Sequence, residues 1–533
     1  YDEKGRALAV RRGKRILDSL HDEGILKGRV YQMARENLPS LRPRPRPGTL
    51  PFALHFLQRL KGELASKGEI VAKGGVVKTS FDREIQALAK DKLSHFISKW
   101  RGLGACNGAF VLAHRDGRII SYLGSDDYYD GDKAGAIDYA SLARSPGSSL
   151  KPFVYALALE LGVISPATVL EDFHRAPGGI SNADERFLGP LLPRQALANS
   201  RNVPAANLLA ELGLHCFFDL TANLGLHRGY GRASDFGLGM VIGTLPVDLL
   251  SLLRAYRSLA DGGVYQSFRW YEGQRLAGKR RIFSSSTARQ IALFLSDPLA
   301  RLPSFERMGN LEYPYPVCAK TGTSSRCRDA WCLLWSRRYL AGLWLGRHDY
   351  GPMNGLSGYD AAARVLKSIL LELDFAGSRL KDIGFPPPEG YEAAKVCARS
   401  GKLASKDCDR YFLEWFPPGA VPQERCTRND PSITFAPSPG SEVEAKLKVL
   451  SPDDGERIFT CPETTKRCST IALRASAKPR PAKLLWYVDG EPFRLVSHPF
   501  SLRWPLKKGH HVFWVSLPSR RESPSEPVGI YVE

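Results

Sequence analysis

In the stretch "LARSPGSSLKPFVYALALE", Ser148 and Lys151 stand three positions apart and together can do chemistry that neither does alone. A serine hydroxyl attacks a carbonyl carbon efficiently only when a base takes its proton. A lysine serves as that base only where burial or a nearby positive charge removes its own proton near neutral pH. On a helical turn, side chains three apart are neighbours and those two apart are not. Ser148 therefore pairs with Lys151, while Ser149 and Ser145 do not. Ser145 and Pro146 read as a helix cap and a first helical residue, which would start the helix just before Ser148. Pro152 then reads as a kink beside the base.

A lone S-x-x-K carries little information, since Ser378 and Lys381 match it too. The first copy has company. Downstream come "LANSRNVPAANLL", with Ser200 and Asn202 as S-x-N, and "VCAKTGTSS", with Lys320, Thr321 and Gly322 as K-T-G followed by Thr323. Gly322 reads as a place where a side chain would obstruct a substrate lying along a strand edge. S-x-x-K, S-x-N and K-T-G in this order form the signature of penicillin-binding proteins and serine β-lactamases.

The longer stretches "RSPGSSLKPFVYALALELG", "ALANSRNVPAANLLAELG" and "AKTGTSSRCRDAWCLLWSRRYLAGLWLGRHD" resemble the transpeptidase domain of class A penicillin-binding proteins, and most of all the 1C branch. That resemblance implies a D,D-transpeptidase that crosslinks peptidoglycan stem peptides through a serine acyl-enzyme and is inhibited by β-lactams. Ser148 would be the nucleophile and Lys151 its base. Ser200 would relay a proton to the leaving amine, and Asn202 would hold the substrate backbone and Lys151. Lys320 would add positive charge, and Thr321 and Thr323 would meet the substrate carboxylate across Gly322. The oxyanion hole would be the N–H groups of Ser148 and Thr323. No cofactor and no metal are implied.

These residues need elements to hold them. The fold class expected is a multidomain α+β chain: a penicillin-binding transpeptidase domain, with an antiparallel sheet and flanking helices, followed by a small immunoglobulin-like β-sandwich. Residues 1–40 read as amphipathic helices with Ala7, Val10, Ile16, Leu17 and Leu20 near helical period and Gly24 as a stop. By resemblance, 1–60 is the end of a glycosyltransferase domain plus the "RPRPRP" linker. The transpeptidase domain spans 61–380. It opens on a helix capped by Thr79 or Ser80, with Ile85, Leu88, Leu93 and Ile97 inside, and a hairpin turning at "HRDG". A cysteine-bearing connector at 381–440 leads to the sandwich at 441–533, whose strands alternate and carry core aromatics such as those in "WYV" and "FRW".

Composition bounds the partners. The 533 residues carry a net charge of +20, which favours anionic partners. No zinc-finger or RNA-recognition spacing accompanies that charge, so no nucleic-acid partner is expected. The ten cysteines include no C-x-x-C and no following H-x3-5-H, which argues against zinc and for an oxidising compartment. Cys318, Cys327 and Cys332 read either as a pin on the loop after K-T-G or as free buried thiols. The adjacent His510 and His511 fall on opposite faces of a strand and read as a turn rather than a metal site. No run of about 18 apolar residues occurs. By resemblance the chain works in the periplasm, and its intact parent is anchored in the inner membrane and also polymerises glycan. A cell-wall protein partner would use the C-terminal domain. Two alternatives remain at this stage: a serine β-lactamase with Glu171 as the base for water, and a non-catalytic scaffold.

Overall fold

The computed structural model describes residues 3–40, 53–66, 75–173, 175–227, 231–375, 384–427, 446–458, 470–478, 483–497, 500–516 and 525–533. The "RPRPRP" segment, the second S-x-x-K at Ser378 and Lys381, and Cys461 and Cys468 lie outside these residues. The chain divides into two compact units, Tyr1–Leu54 and His55–Glu533. In the first, α1 (Glu3–Asp22) and α2 (Gly28–Asn37) are joined through Gly24, whose φ of +73° suits the stop expected there. Tyr31 donates to Asp18 at 2.7 Å and stacks on His21. The expected apolar stripe is not sealed: Ala7 and Ile16 are exposed, and Val10, Leu17 and Leu20 are only half-buried. Two short helices have too little surface to bury it among themselves.

In the second unit, α3 (Leu54–Ser66) and α4 (Arg83–Lys99) precede the hairpin β1 (Asn107–His114) and β2 (Ile119–Leu123). Next come α5 (Lys151–Glu160), the short strands β3 (Leu170–Asp172) and β4 (Gly189–Leu191), and helices α6 (Pro193–Ala198), α7 (Asn202–Leu212), α8 (Leu214–Asn223), α9 (Ala233–Phe236) and α10 (Leu249–Ala260). Strands β5 (Val264–Tyr265) and β6 (Arg280–Arg281) and helix α11 (Ser285–Ser296) lead to the meander β7 (Cys318–Thr323), β8 (Asp329–Trp335) and β9 (Tyr339–Gly346), then α12 (Arg364–Phe375). The central sheet has the order β2-β1-β9-β8-β7 and is antiparallel throughout. The K-T-G strand β7 thus lies at an edge, with one row of backbone groups free of sheet partners.

Both faces of that sheet are covered. Along β1, Ala109, Val111 and Ala113 enter a core shared with α5, α7 and α10, while Phe110 and Leu112 enter a second core shared with α4 and α12. This is the period of two of a strand, applied to a sheet with no wet face. The cap of α4 is Asp82, whose Oδ1 accepts from the N–H groups of Glu84 and Ile85 at 2.9 and 3.0 Å, rather than Thr79 or Ser80. Helix α5 is apolar all round and is buried from Lys151 to Ala158, as a helix at the centre of a domain must be.

Beyond α12, β10 (Glu392–Cys397) and β11 (Tyr411–Phe416) form a separate hairpin. Its Val396, Phe412 and Phe416 share a small core with Leu192, Ala198 and Ala300. The C-terminal part is a β-sandwich of two sheets. One contains β12 (Lys446–Ser451), β14 (Thr470–Lys478) and β17 (Ser501–Pro505). The other contains β13 (Glu456–Ile458), β15 (Lys483–Val488), β16 (Glu491–Ser497), β18 (Gly509–Ser516) and β19 (Val528–Val532). Leu473, Trp486, Trp504, Phe513 and Ile530 fill the space between them. His511 bonds to Asp489 and the Lys507 carbonyl, whereas His510 packs against Tyr531, so the two rings have separate partners.

Candidate active site

Ser148 lies in a single 3-10 turn, Gly147–Leu150, and α5 begins at Lys151. A 3-10 turn has three residues per turn, so positions three apart eclipse and Ser148 is set over Lys151. The start of the helix differs from the sequence reading. Ser145 does not cap it; its hydroxyl donates to the Gly243 carbonyl at 2.8 Å. Pro152 does not kink a helix interior either. It occupies the first turn of α5, where its missing N–H leaves no bond unmade.

Lys151 is fully buried, and its Nζ donates to the Ser200 carbonyl at 2.6 Å and to Asn202 Oδ1 at 2.5 Å. Burial, followed by the charges of Lys320 and Arg201, holds its pKa well below the ordinary lysine value, against a smaller opposing pull from Asp172. A neutral amine has two N–H bonds and one lone pair. In that form both donors would be committed to Ser200 and Asn202, and the lone pair would be the open valence.

Lys320 reaches the same place from β7. Its Nζ donates to Ser200 Oγ at 2.7 Å and to the Thr321 carbonyl at 2.7 Å, and burial lowers its pKa to about 7. Ser200 therefore bridges the two lysines, its carbonyl to one and its hydroxyl to the other. Its backbone φ is +57°, a conformation costly for a residue with a side chain and retained where the surroundings impose it.

A cleft of about 570 Å³ opens over these groups. Ser148, Ser200, Asn202, Thr321 and Thr323 line it, with Phe305, Tyr359 and Ile242 as apolar wall, while Lys151 and Lys320 lie behind the lining. Thr323 Oγ accepts from the Gly358 N–H at 2.9 Å, which leaves its own O–H free to donate. Gly322 is also required by packing that the sequence did not reveal. A Cβ there would lie 2.1 Å from the Pro146 carbonyl oxygen and 2.3 Å from Ser149 Oγ, so β7 could not pack on the Ser148 turn with a side chain at this position. Gly147, at φ +54°, makes the reciprocal approach: a Cβ on it would sit 2.4 Å from the Thr323 carbonyl oxygen.

Three supporting residues gave no sequence signal. Asn182 Oδ1 accepts from the N–H of Asn202 at 2.8 Å and of Val203 at 3.3 Å, closing the N-terminus of α7 from a distant loop. Its Nδ2 donates to the fully buried Asp172 at 2.6 Å. Asp172 in turn receives Arg201 Nε at 2.9 Å. All three sit where the chain has little periodicity, and their partners are brought together only by the fold. Glu171, the β-lactamase alternative, is exposed on β3 and is not among the residues lining the cleft. The eight cysteines within the described residues are free thiols, so Cys318, Cys327 and Cys332 pin nothing.

Residues 108–330 match the penicillin binding protein transpeptidase domain, residues 387–431 the penicillin-binding protein 1A C-terminal domain, and residues 437–516 the penicillin-binding protein C-terminus family. Penicillin-binding protein 1C of Escherichia coli K12 is 29% identical over 91% of this chain and 68% of its own length. Penicillin-binding protein 1A of Clostridium tetani is 27% identical over 53% of this chain and 40% of its own length. Among solved structures, penicillin-binding protein 1A from Haemophilus influenzae superposes with a TM-score of 0.59 at 16% identity, covering 78% of this chain and 83% of that one. PonA1 from Mycobacterium tuberculosis, in complex with penicillin V, gives 0.52 at 19% identity and covers 64% and 96%. With an edge strand carrying K-T-G, a serine turn packed against it and three matched domains in sequence order, the chain carries a penicillin binding protein transpeptidase domain and resembles the penicillin-binding proteins over most of its length.

Proposed function

We propose that this chain is a peptidoglycan D,D-transpeptidase working through a serine acyl-enzyme. The observation that carries the reading is the buried Lys151, with both N–H bonds engaged by Ser200 and Asn202 and its pKa depressed, on the same turn as Ser148. Ser148 Oγ attacks the carbonyl carbon of the penultimate D-alanine, and its proton passes to Lys151 Nζ. As the tetrahedral intermediate collapses, the amide C–N bond breaks. The proton reaches the departing amine of terminal D-alanine by way of Ser200, whose Oγ is already bonded to Lys320. The amine of a neighbouring stem peptide then attacks the Ser148 ester, forming the crosslink and releasing the serine.

The substrate lies along the free edge of β7, its terminal carboxylate meeting Thr321 and Thr323 with the charge of Lys320 behind them. The N–H groups of Ser148 and Thr323 form the oxyanion hole, an arrangement supported by the close backbone approach of Gly147 to Thr323. In other enzymes the loss of one such donor costs about 3 to 4 kcal/mol of transition-state stabilisation. In the same reading the chain works outside the cytoplasm. The parent's membrane anchoring, its glycan polymerisation and a cell-wall protein bound by the sandwich follow from the resemblance. No described helix is long and apolar enough to cross a membrane.

Intact mass spectrometry after incubation with benzylpenicillin tests the nucleophile. The wild-type chain is expected to gain one stable adduct and Ser148→Ala none. An adduct on the alanine variant overturns the assignment, and rapid hydrolysis of the drug without a lasting adduct overturns transpeptidase in favour of β-lactamase.

A further inference from the structure

The connector hairpin brings together three cysteines that are far apart in sequence. The Sγ atoms of Cys397, Cys408 and Cys426 all lie within 4.8 Å of one another. Cys397 and Cys426 are buried and Cys408 is partly exposed. Each comes from a different piece of chain: the end of β10, the loop before β11, and the segment after it. Backbone bonds close the arrangement, with Cys426 N–H to the Leu403 carbonyl at 2.8 Å and Cys397 N–H to the Lys402 carbonyl at 2.8 Å.

We propose that Cys397, Cys408 and Cys426 form a structural metal site that binds zinc, or a similar soft divalent cation, through three thiolates. Several observations converge on this. First, three thiols meet where a disulfide would use two and leave the third poised for exchange with the bond. Second, the sulfurs sit among donors. Ser400 Oγ donates to Cys426 Sγ at 3.2 Å, the Ser405 N–H donates to Cys408 Sγ at 3.4 Å, and the N–H groups of Arg399 and Ser400 point to Cys397. Bonds of this kind orient and stabilise thiolates around a metal. Third, tetrahedral zinc with bonds of about 2.3 Å sets its sulfurs about 3.8 Å apart, a contraction of about 1 Å at most from the spacing seen.

The location also fits. Residues 384–427 hold one hairpin and a thin apolar cluster, and segments of this size commonly rely on a disulfide or a metal for stability. Binding would release the three thiol protons to solvent and leave a fourth coordination position for water. The C-x10-C-x17-C spacing hides the site from any reading of local motifs. Paired ligands on one turn are absent from the sequence, and here each ligand comes from its own segment.

The test uses the full chain, purified under reducing conditions, stripped with a chelator and titrated with zinc or cobalt(II). The expected result is about one metal per chain by elemental analysis, with a sulfur-to-cobalt charge-transfer band. In Cys408→Ser the retained metal should fall below about a tenth of that. Should that variant fold poorly, alkylation of the wild-type chain gives the same information. Cys397, Cys408 and Cys426 are expected to be labelled in the stripped protein and protected when zinc is bound. Failure of the wild type to hold stoichiometric metal, an unchanged metal content in Cys408→Ser, equal alkylation in the two states, or a disulfide among the three in peptide maps of chain isolated without reductant would each overturn the proposal.

Discussion

At the scale of single residues, the proposed chemistry turns on two lysines given opposite protonation tasks and bridged by one serine. In that proposal Lys151 is neutral to take a proton, and Lys320 is charged to draw a carboxylate. Burial lowers both, but the charge of Lys320 is itself among the causes of the lower pKa of Lys151. Acylation by benzylpenicillin should therefore gain with rising pH from the loss of the Lys151 proton and lose from the discharge of Lys320 from about pH 7 upward, the second giving an alkaline limb. Lys320→Arg, which cannot discharge, should lose the alkaline limb even though its planar head lowers the absolute rate. Lys151→Ala should slow acylation by about 10²- to 10⁴-fold across the range. Rates of adduct formation against pH decide the matter, and an alkaline limb that survives in Lys320→Arg would assign it elsewhere. The same shift affects stability. Between about pH 7 and the ordinary lysine value, the unfolded chain holds a proton that folded Lys320 lacks, so its contribution grows with pH and is lost as pH falls through about 7.

At the scale of elements, the S-x-N motif is positioned from behind by a part of the chain more than two hundred residues away. Helix α6 runs directly into Asn199, Ser200 and Asn202, and its Arg194 is buried against the connector. Arg194 grips Glu414 through two bonds, Nε to Oε1 at 2.6 Å and Nη2 to Oε2 at 2.8 Å, and also reaches the Leu413 carbonyl at 3.2 Å. Arg194 Nη1 also donates to Asp297 Oδ2 at 3.3 Å, so Glu414→Ala leaves the guanidinium one carboxylate and should fall at or below the lower end of the about 3 to 5 kcal/mol that a fully stranded buried charge costs, whereas replacing Arg194 and Glu414 together with methionine should recover part of it. Thermal melting measures this. Penicillin labelling of the folded fraction should also slow if α6 positions Ser200, and an unchanged rate would confine the pair to stability. None of this was legible in the sequence. That Ser148, Lys151, Ser200, Asn202 and K-T-G lie together was legible, because the proton transfer and carboxylate binding proposed for them demand fixed types at short, fixed spacings. Arg194 with Glu414, and Asp172 with Asn182 and Arg201, carry no such local constraint, because each needs only a partner that the fold delivers. Ser145 and Pro152 show the converse. Their types were read as helix signals, but the backbone there begins with a 3-10 turn tied down by Gly243 and β7.

At the scale of the molecule, the question is which parts fold as one body with the active site. The connector and the sandwich match separate family models, but their packing differs in kind. The sandwich closes its own core between two sheets. The connector does not: Val396, Phe412 and Phe416 are buried with Leu192, Ala198 and Ala300 of the catalytic part, and Gln290 Nε2 donates to the Trp415 carbonyl at 2.5 Å. Gly401 sits so near the Ala167 carbonyl that a Cβ would approach it to 2.0 Å. Losing the burial of three large apolar side chains at about 1.5 to 3 kcal/mol each, along with one of the two carboxylates that Arg194 meets, approaches the whole 5 to 15 kcal/mol by which a domain is stable. A chain ending at residue 431 should accordingly keep the wild-type rate of penicillin acylation and melt cooperatively, whereas one ending at residue 383 should be largely unfolded and unlabelled. If the shorter chain labels at the wild-type rate, the connector is an appendage and the catalytic fold is complete without it. If the longer one fails, the sandwich supports the site in a way its closed core does not reveal.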